Sequence, residues 1–355
     1  ARTRRVGEAE GEHAVGGLAV GAEVVVREHD EQSGVGGVGE RGPEREGDAP
    51  VGGSERAPTP PVMSAEGPIR TSERPPGPAP TGAAGAGPAR SAVSRGGESW
   101  EHVAQWYDDL VGSRGSDHHE NLIIPGVMRL LGVRRDGHYL DVACGQGVVS
   151  EAIARHGASV VGIDASDSLI EAAKRHARPH AWATRATFRV GDARDLTALD
   201  AAGFDGAAFV MAAMNIDPIE PVFAGCARAL RPGSALVVVM LHPCFRAPKR
   251  TSWEWHGVGP RSRQSRRIDA YLSKEALPIT MNPGGVSRGE APVETLTHHR
   301  PIQHYVRALA ESGFSIDALE EWASQRRSEP GPRAKEEDRA RAEIPMFLAI
   351  RARRA

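Results

Sequence analysis

Cysteine is scarce in this chain, with three residues among 355: Cys144, Cys226 and Cys244. None forms a C-x-x-C pair, so neither a disulfide framework nor a structural zinc site is expected. That usage suits a reducing compartment, and a cytoplasmic location is the expectation. No apolar run reaches the roughly 18 residues of a membrane span. The first residues carry charge without an apolar core, which argues against a secretory signal. Aromatic residues make up 5% of the chain and the formal net charge is -2. Bulk charge therefore points to no nucleic-acid or membrane partner. Neither property marks an interface, and the oligomeric state stays open.

Residues 1–97 differ from the rest. Gly, Pro, Ala, Arg and Glu dominate, as in Arg74-Pro75-Pro76-Gly77-Pro78-Ala79-Pro80. Too little apolar surface is available there to offset the entropy of ordering, so a disordered tail is expected. The first Met is Met63. A genuine tail and a start assigned too far upstream, before native translation begins, both remain open for residues 1–62.

One ordered domain is expected over 98–355. Apolar spacing predicts a helix over 100–111 and a weaker one over 121–131, within an N-terminal helical lid at 98–135. An alternation follows: strand 138–143, helix 148–156, strand 159–163, helix 166–177, strand 186–190 and strand 204–210. Helix 218–230 ends at Arg231-Pro232-Gly233, and strand 234–241 comes next. This rhythm predicts an α/β fold, with a parallel sheet and helices on both faces. The rhythm breaks over 242–300, where a Pro-, Gly-, Arg-, Trp- and His-rich insertion is expected to cap the crevice at the strands' C-terminal ends. Helix 301–311, strand 314–320, a polar loop over 323–342 and strand 344–351 complete the pattern.

The sharpest motif is Tyr139-Leu140-Asp141-Val142-Ala143-Cys144-Gly145-Gln146-Gly147. It reads as a buried strand entering a glycine turn. Gly145 and Gly147 permit a turn too close to a ligand for side chains. Asp164 ends the next strand, at about the spacing that suits a carboxylate holding a ribose diol. Asp192 ends the third and can accept from an adenine amino group. Asp141 can meet an ammonium group but would repel a pyrophosphate. Three acids at successive strand ends suit a cationic nucleoside better than a dinucleotide. Ser150 occupies the third small position of G-x-G-x-x-G, an imperfect match to dinucleotide enzymes.

Leu140 to Gly147 resembles the first motif of class I S-adenosylmethionine-dependent methyltransferases. Val161-Gly162-Ile163-Asp164-Ala165-Ser166 resembles the second, Gly191-Asp192-Ala193 the third, and Ala229-Leu230-Arg231-Pro232-Gly233-Ser234 the approach to the fifth strand. The likeness spans about 100–351 and is nearest to the generic small-molecule branch. It implies a Rossmann-like seven-stranded sheet, mostly parallel, with an antiparallel last strand. It implies S-adenosyl-L-methionine as cofactor and a small-molecule methyl acceptor. Asp141, Ala143, Gly145 and Gly147 would line the methionine end, Asp164 the ribose, and Asp192 and Ala193 the adenine. Met211 and Asn215 would sit near the sulfonium, with Asn215 toward the substrate. Trp106 or Tyr107 would close over the cofactor.

His242 stands at the end of strand 234–241, where a substrate-facing general base is expected, although a hydrogen-bonded structural His fits equally well. Either His298 or His299 can reach the same pocket as a substrate contact. His118 and His119 are possible substrate contacts or parts of a simple loop. No regular ligand spacing joins His242, Cys244, His298 and His299, so no metal is expected. Asn215-Ile216-Asp217-Pro218 reads as a turn and helix start, with Asp217 as N-cap. Trp253, Trp255 and Tyr271 among Arg261, Arg263, Arg266 and Arg267 fit either a lid with solvated charges or an RNA surface. Methyl transfer to a small organic acceptor leads. An RNA methyltransferase, a non-catalytic nucleoside-binding protein and a dinucleotide oxidoreductase are the competing readings.

Overall fold

The computed structural model describes residues 100–101, 103–104, 116–282, 286–289 and 291–355. Segment 1–97, Trp106 and Tyr107 lie outside the described residues, as does most of the helix expected over 100–111.

Eleven strands and six α-helices carry the described fold. The strands are β1 (His138–Val142), β2 (Ser159–Asp164), β3 (Ala186–Val190), β4 (Phe204–Val210), β5 (Leu230–Leu241), β6 (Thr251–His256), β7 (Arg263–Ile268), β8 (Glu275–Thr280), β9 (Glu294–His299), β10 (Phe314–Trp322) and β11 (Phe347–Arg354). The helices are α1 (Ile124–Leu131), α2 (Val148–Arg155), α3 (Asp167–Ala177), α4 (Glu220–Ala229), α5 (Ile302–Glu311) and α6 (Ala334–Glu343). A seven-stranded sheet runs in the order β10-β11-β5-β4-β1-β2-β3. Its pairs are parallel except those of β11, which is antiparallel to both β5 and β10.

Alternation along the central strands builds two apolar layers. Leu140, Phe209, Leu236 and Val238 face one side, against Phe223 of α4 and Leu309 of α5. Tyr139, Ala208, Val237 and Val239 face the other, against Val127 of α1, Ile153 of α2 and Ile170 of α3. With both faces covered, these strands read as near-continuous apolar runs. Local chemistry sets the helix ends. Ser166 Oγ accepts the Leu169 backbone N–H at 3.1 Å to start α3. Gly132 adopts the left-handed conformation that ends α1.

Three expectations need correction. The polar loop over 323–342 contains α6, whose one buried residue is Ala340. No apolar stripe announces it; ion pairs such as Arg339–Glu336 at 2.8 Å support it instead. β5 begins at Leu230, where Leu230 pairs with Phe204 ahead of a register shift, so it takes in Arg231-Pro232-Gly233. Asp217 does not cap α4, which starts at Glu220 with Ile219 at the cap. The insertion 242–300 holds two antiparallel hairpins, β6–β7 and β8–β9. No helix among the described residues is long and apolar enough to cross a membrane.

Candidate functional site

The C-terminal ends of β1, β2, β3 and β4 surround one cavity of about 1050 Å³, counting its open mouth. Such a crevice is the expected ligand position in an open α/β sheet. β1 and its turn contribute Asp141, Ala143, Cys144, Gly145 and Gln146. The start of α2 adds Val148 and Val149, and the end of β2 adds Asp164 and Ala165. Asp192, Ala193 and Arg194 follow β3. Met211, Ala212, Asn215, Ile216 and Asp217 follow β4, while Trp100 and His119 come from the N-terminal side.

The turn after β1 is tight. Ala143, Gly145 and Gly147 have φ of 54°, 53° and 89°. A Cβ on Gly145 would meet nothing within 4 Å, whereas one on Gly147 would lie 3.0 Å from the Phe188 ring. Gly147 thus serves the packing of α2 on β3 and is not among the cavity-lining residues.

Asp164 stitches two loops together. Its Oδ2 accepts the Gly145 N–H at 2.9 Å, and its Oδ1 accepts the Ser166 N–H at 3.0 Å. Burial pushes its carboxyl up, and the backbone donors oppose that rise. Asp141 is 2% exposed, and Ser150 Oγ donates to its Oδ2 at 2.7 Å. Burial raises the Asp141 carboxyl to about 7, against the pull of Ser150 and with a push from Asp164. Asp192 is gripped by the Arg194 guanidinium at 2.6 Å, which holds its carboxyl below the ordinary range. Arg194 also donates to the Asp217 carbonyl at 3.1 Å.

Neither His242 nor His298 lines the cavity. His242 is 1% exposed; its Nε2 bonds Glu321 Oε1 at 2.8 Å, and its Nδ1 accepts the Cys244 N–H at 3.2 Å. That acceptor role puts the ring proton on Nε2. Burial lowers its pKa, so the contact with Glu321 is a hydrogen bond from a neutral ring rather than an ion pair. His298 is half-buried on β9, and its pKa is lowered by burial and by Arg300.

Arg300, 3% exposed, fastens the end of the insertion to the cavity wall. It donates to Ile216 O at 2.6 Å, to Asp217 Oδ1 at 2.6 Å and to Ala213 O at 3.3 Å. Thr297 reaches Asn215 Oδ1 at 3.4 Å. Two aromatic rings of the insertion meet guanidinium groups. Trp253 packs under Arg246 and Arg266, and Trp255 under Arg333.

His119 and His118 separate. His118 packs edge-on against Phe347, whereas His119 lines the cavity with Nδ1 2.9 Å from Ser116 Oγ. Burial, and then His118, lowers the His119 pKa to about 4. Arg194, Asp217 and Ser150 were not singled out as site residues from the sequence. Position alone offers one hint, because Arg194 follows Asp192 in the same turn. Among the described residues, no group of three His, Cys, Asp or Glu is arranged to hold a metal.

Residues 140–233 match the family model of a methyltransferase domain. A ubiquinone biosynthesis O-methyltransferase of Coxiella burnetii is 36% identical over 110 residues, which are 31% of this chain and 46% of that protein. One from Xanthomonas oryzae pv. oryzae is 32% identical over 103 residues, or 29% and 42% of the two chains. The chain thus spans less than half the length of these curated relatives. The crystal structure of an S-adenosylmethionine dependent methyltransferase from Mesorhizobium loti superposes with a TM-score of 0.50 and 27% identity, covering 65% of this chain and 96% of that one.

Proposed function

Because residues 140–233 are a methyltransferase domain of the class I S-adenosylmethionine-dependent kind, we propose that the protein transfers a methyl group from S-adenosyl-L-methionine to a small organic acceptor, at oxygen. The observation that carries this reading is the convergence of Asp141, Asp164 and Asp192 from three adjacent strand ends on one cavity. The donor set fits the cofactor. A cationic amino-acid nucleoside matches an acidic cavity, and the pyrophosphate of a dinucleotide does not.

Asp141 and the turn Ala143–Gly145 receive the methionine end in this reading. Asp164 accepts from the ribose hydroxyls, held in place by backbone donors from Gly145, Ala165 and Ser166. Asp192, fixed by Arg194, and Ala193 frame the adenine. Gly147 contributes by bringing α2 close to the sheet. When bound, the cofactor supplies a methyl group on a sulfonium. The protein's own part is alignment and exclusion of water. Val210, Met211 and Ala212 form an apolar wall for that purpose, with Asn215 toward the acceptor. Tyr107 belongs to the segment proposed to close the site, and the hairpins of 242–300 to its cap.

His242 is not the base in this reading, because its two ring nitrogens are already engaged. Ser116 donates its backbone N–H to His119 Nδ1 at 3.4 Å, which puts the proton of the neutral ring on Nε2, so His119 offers the cavity an N–H donor rather than a lone pair. The new O–CH3 bond makes the acceptor oxygen strongly acidic as the S–CH3 bond breaks. Solvent at the open mouth of the cavity is then sufficient to take the O–H proton. The names of the curated relatives support oxygen as the atom methylated. Labelled methyl transfer from S-adenosylmethionine to a panel of small phenols and catechols tests the proposal. Label in an ether product supports it. Label only in nucleic acid, removed by nuclease, overturns it.

A further inference from the structure

We propose that Ser150 is a positioning residue for the cofactor's ammonium group, acting through Asp141 rather than by touching the ligand. This inference rests on the cofactor reading above and deepens it. Ser150 sits in the first turn of α2, where a third small residue would close a dinucleotide turn. It is fully buried, and it is not among the residues lining the cavity. Its hydroxyl is spent on Oδ2 of Asp141 at 2.7 Å, and no other side chain among the described residues donates to Asp141. A small side chain was sufficient for packing; the hydroxyl adds a fixed direction to the carboxylate.

The surroundings make that bond matter. Two titratable groups face Asp141: Asp164 at the end of β2, and Cys144 in the turn, whose thiol is pushed far up by burial and by both carboxylates. His119 and Asp192 line the same cavity from the N-terminal segment and from beyond β3. No Lys or Arg is among the groups that move the Asp141 carboxyl; burial raises it, and the Ser150 hydroxyl is the largest influence opposing that rise. Without the hydroxyl, Asp141 keeps only the Ser150 backbone N–H as a donor and holds its proton to higher pH. A protonated carboxyl has no charge to offer an ammonium group.

Calorimetric titration of the full chain tests this without any acceptor. S-Adenosylhomocysteine carries the ammonium, and 5′-methylthioadenosine carries the same adenosine and thioether without it. In the wild type, affinity for S-adenosylhomocysteine should rise about tenfold between pH 6 and pH 8, as the Asp141 proton is lost. Affinity for 5′-methylthioadenosine should stay flat. Ser150→Ala should weaken S-adenosylhomocysteine about tenfold at pH 7 and move its rise to higher pH, leaving 5′-methylthioadenosine unchanged. Equal weakening of both ligands would reduce Ser150 to a packing role and overturn the inference. So would two unchanged affinities. Wild-type protein that binds neither ligand would instead defeat the cofactor reading, and this inference with it.

Discussion

Asp141 is held ready for a ligand at a cost to the free protein. Its carboxyl titrates near 7 in the fold, above its ordinary value, because burial disfavours the charge. The native state therefore keeps this proton to higher pH than the unfolded chain does. Stability contributed by this group is present at low pH and is lost as pH rises through about 7. Asp141→Asn should raise the melting temperature of the free protein at pH 8 while abolishing calorimetric binding of S-adenosylhomocysteine. A lower melting temperature would contradict the account. His119 has the opposite sign. Its folded pKa is lowered to about 4, so stability is lost as pH falls from about 6.5 toward that value. His119→Gln should flatten that acid limb in thermal melts. Sequence could point to Asp141, Asp164 and Asp192, because βα order alone puts strand ends at the crevice. It left His119 and His242 open, because which imidazole meets the cavity depends on how distant segments cross β5 and β11. Ser150 reads in the sequence only as a small turn residue, and Arg194 carries no signal, because their partners Asp141 and Asp192 are defined by the fold, not by spacing.

Elements with a strong apolar period were legible, and those without one were not. β1, β2, β4 and the helices between them carry both apolar layers of the sheet. α6 escaped because Ala-Lys-Glu-Glu-Asp-Arg-Ala-Arg-Ala-Glu has helical propensity but no apolar face; its support comes from charge pairs along its own surface. The β6–β7 hairpin shows no apolar period because its Trp253 packs against guanidinium groups rather than in an apolar core. The start of α1 depends on a close approach that is testable by itself. A Cβ on Gly126 would lie 2.3 Å from Trp322 Cη2, at the end of β10. Gly126→Ala should destabilise the protein by about 1–3 kcal/mol through overpacking. Thermal melts would read this as a lower melting temperature, and an unchanged value would mean that α1 does not pack on β10 this closely.

At the scale of the whole molecule, a near-neutral chain concentrates acid where the strands end. The formal net charge is -2, yet Asp141, Asp164, Asp192 and Asp217 line one cavity, and the Arg194 that joins them is paired to Asp192. That local asymmetry separates a cationic nucleoside from a dinucleotide, and bulk charge carries no such information. The insertion is tied into the same site by Arg300, so the wall after β4 and the hairpins meet at one buried cation. The most direct measurement is calorimetric titration of the full chain with S-adenosylmethionine, S-adenosylhomocysteine and NAD in parallel. The account predicts tight binding of the first two, no binding of NAD, and at least a tenfold loss of affinity in Asp164→Ala. Binding of NAD alone, or sulfonium-ligand affinity untouched by Asp164→Ala, would contradict it.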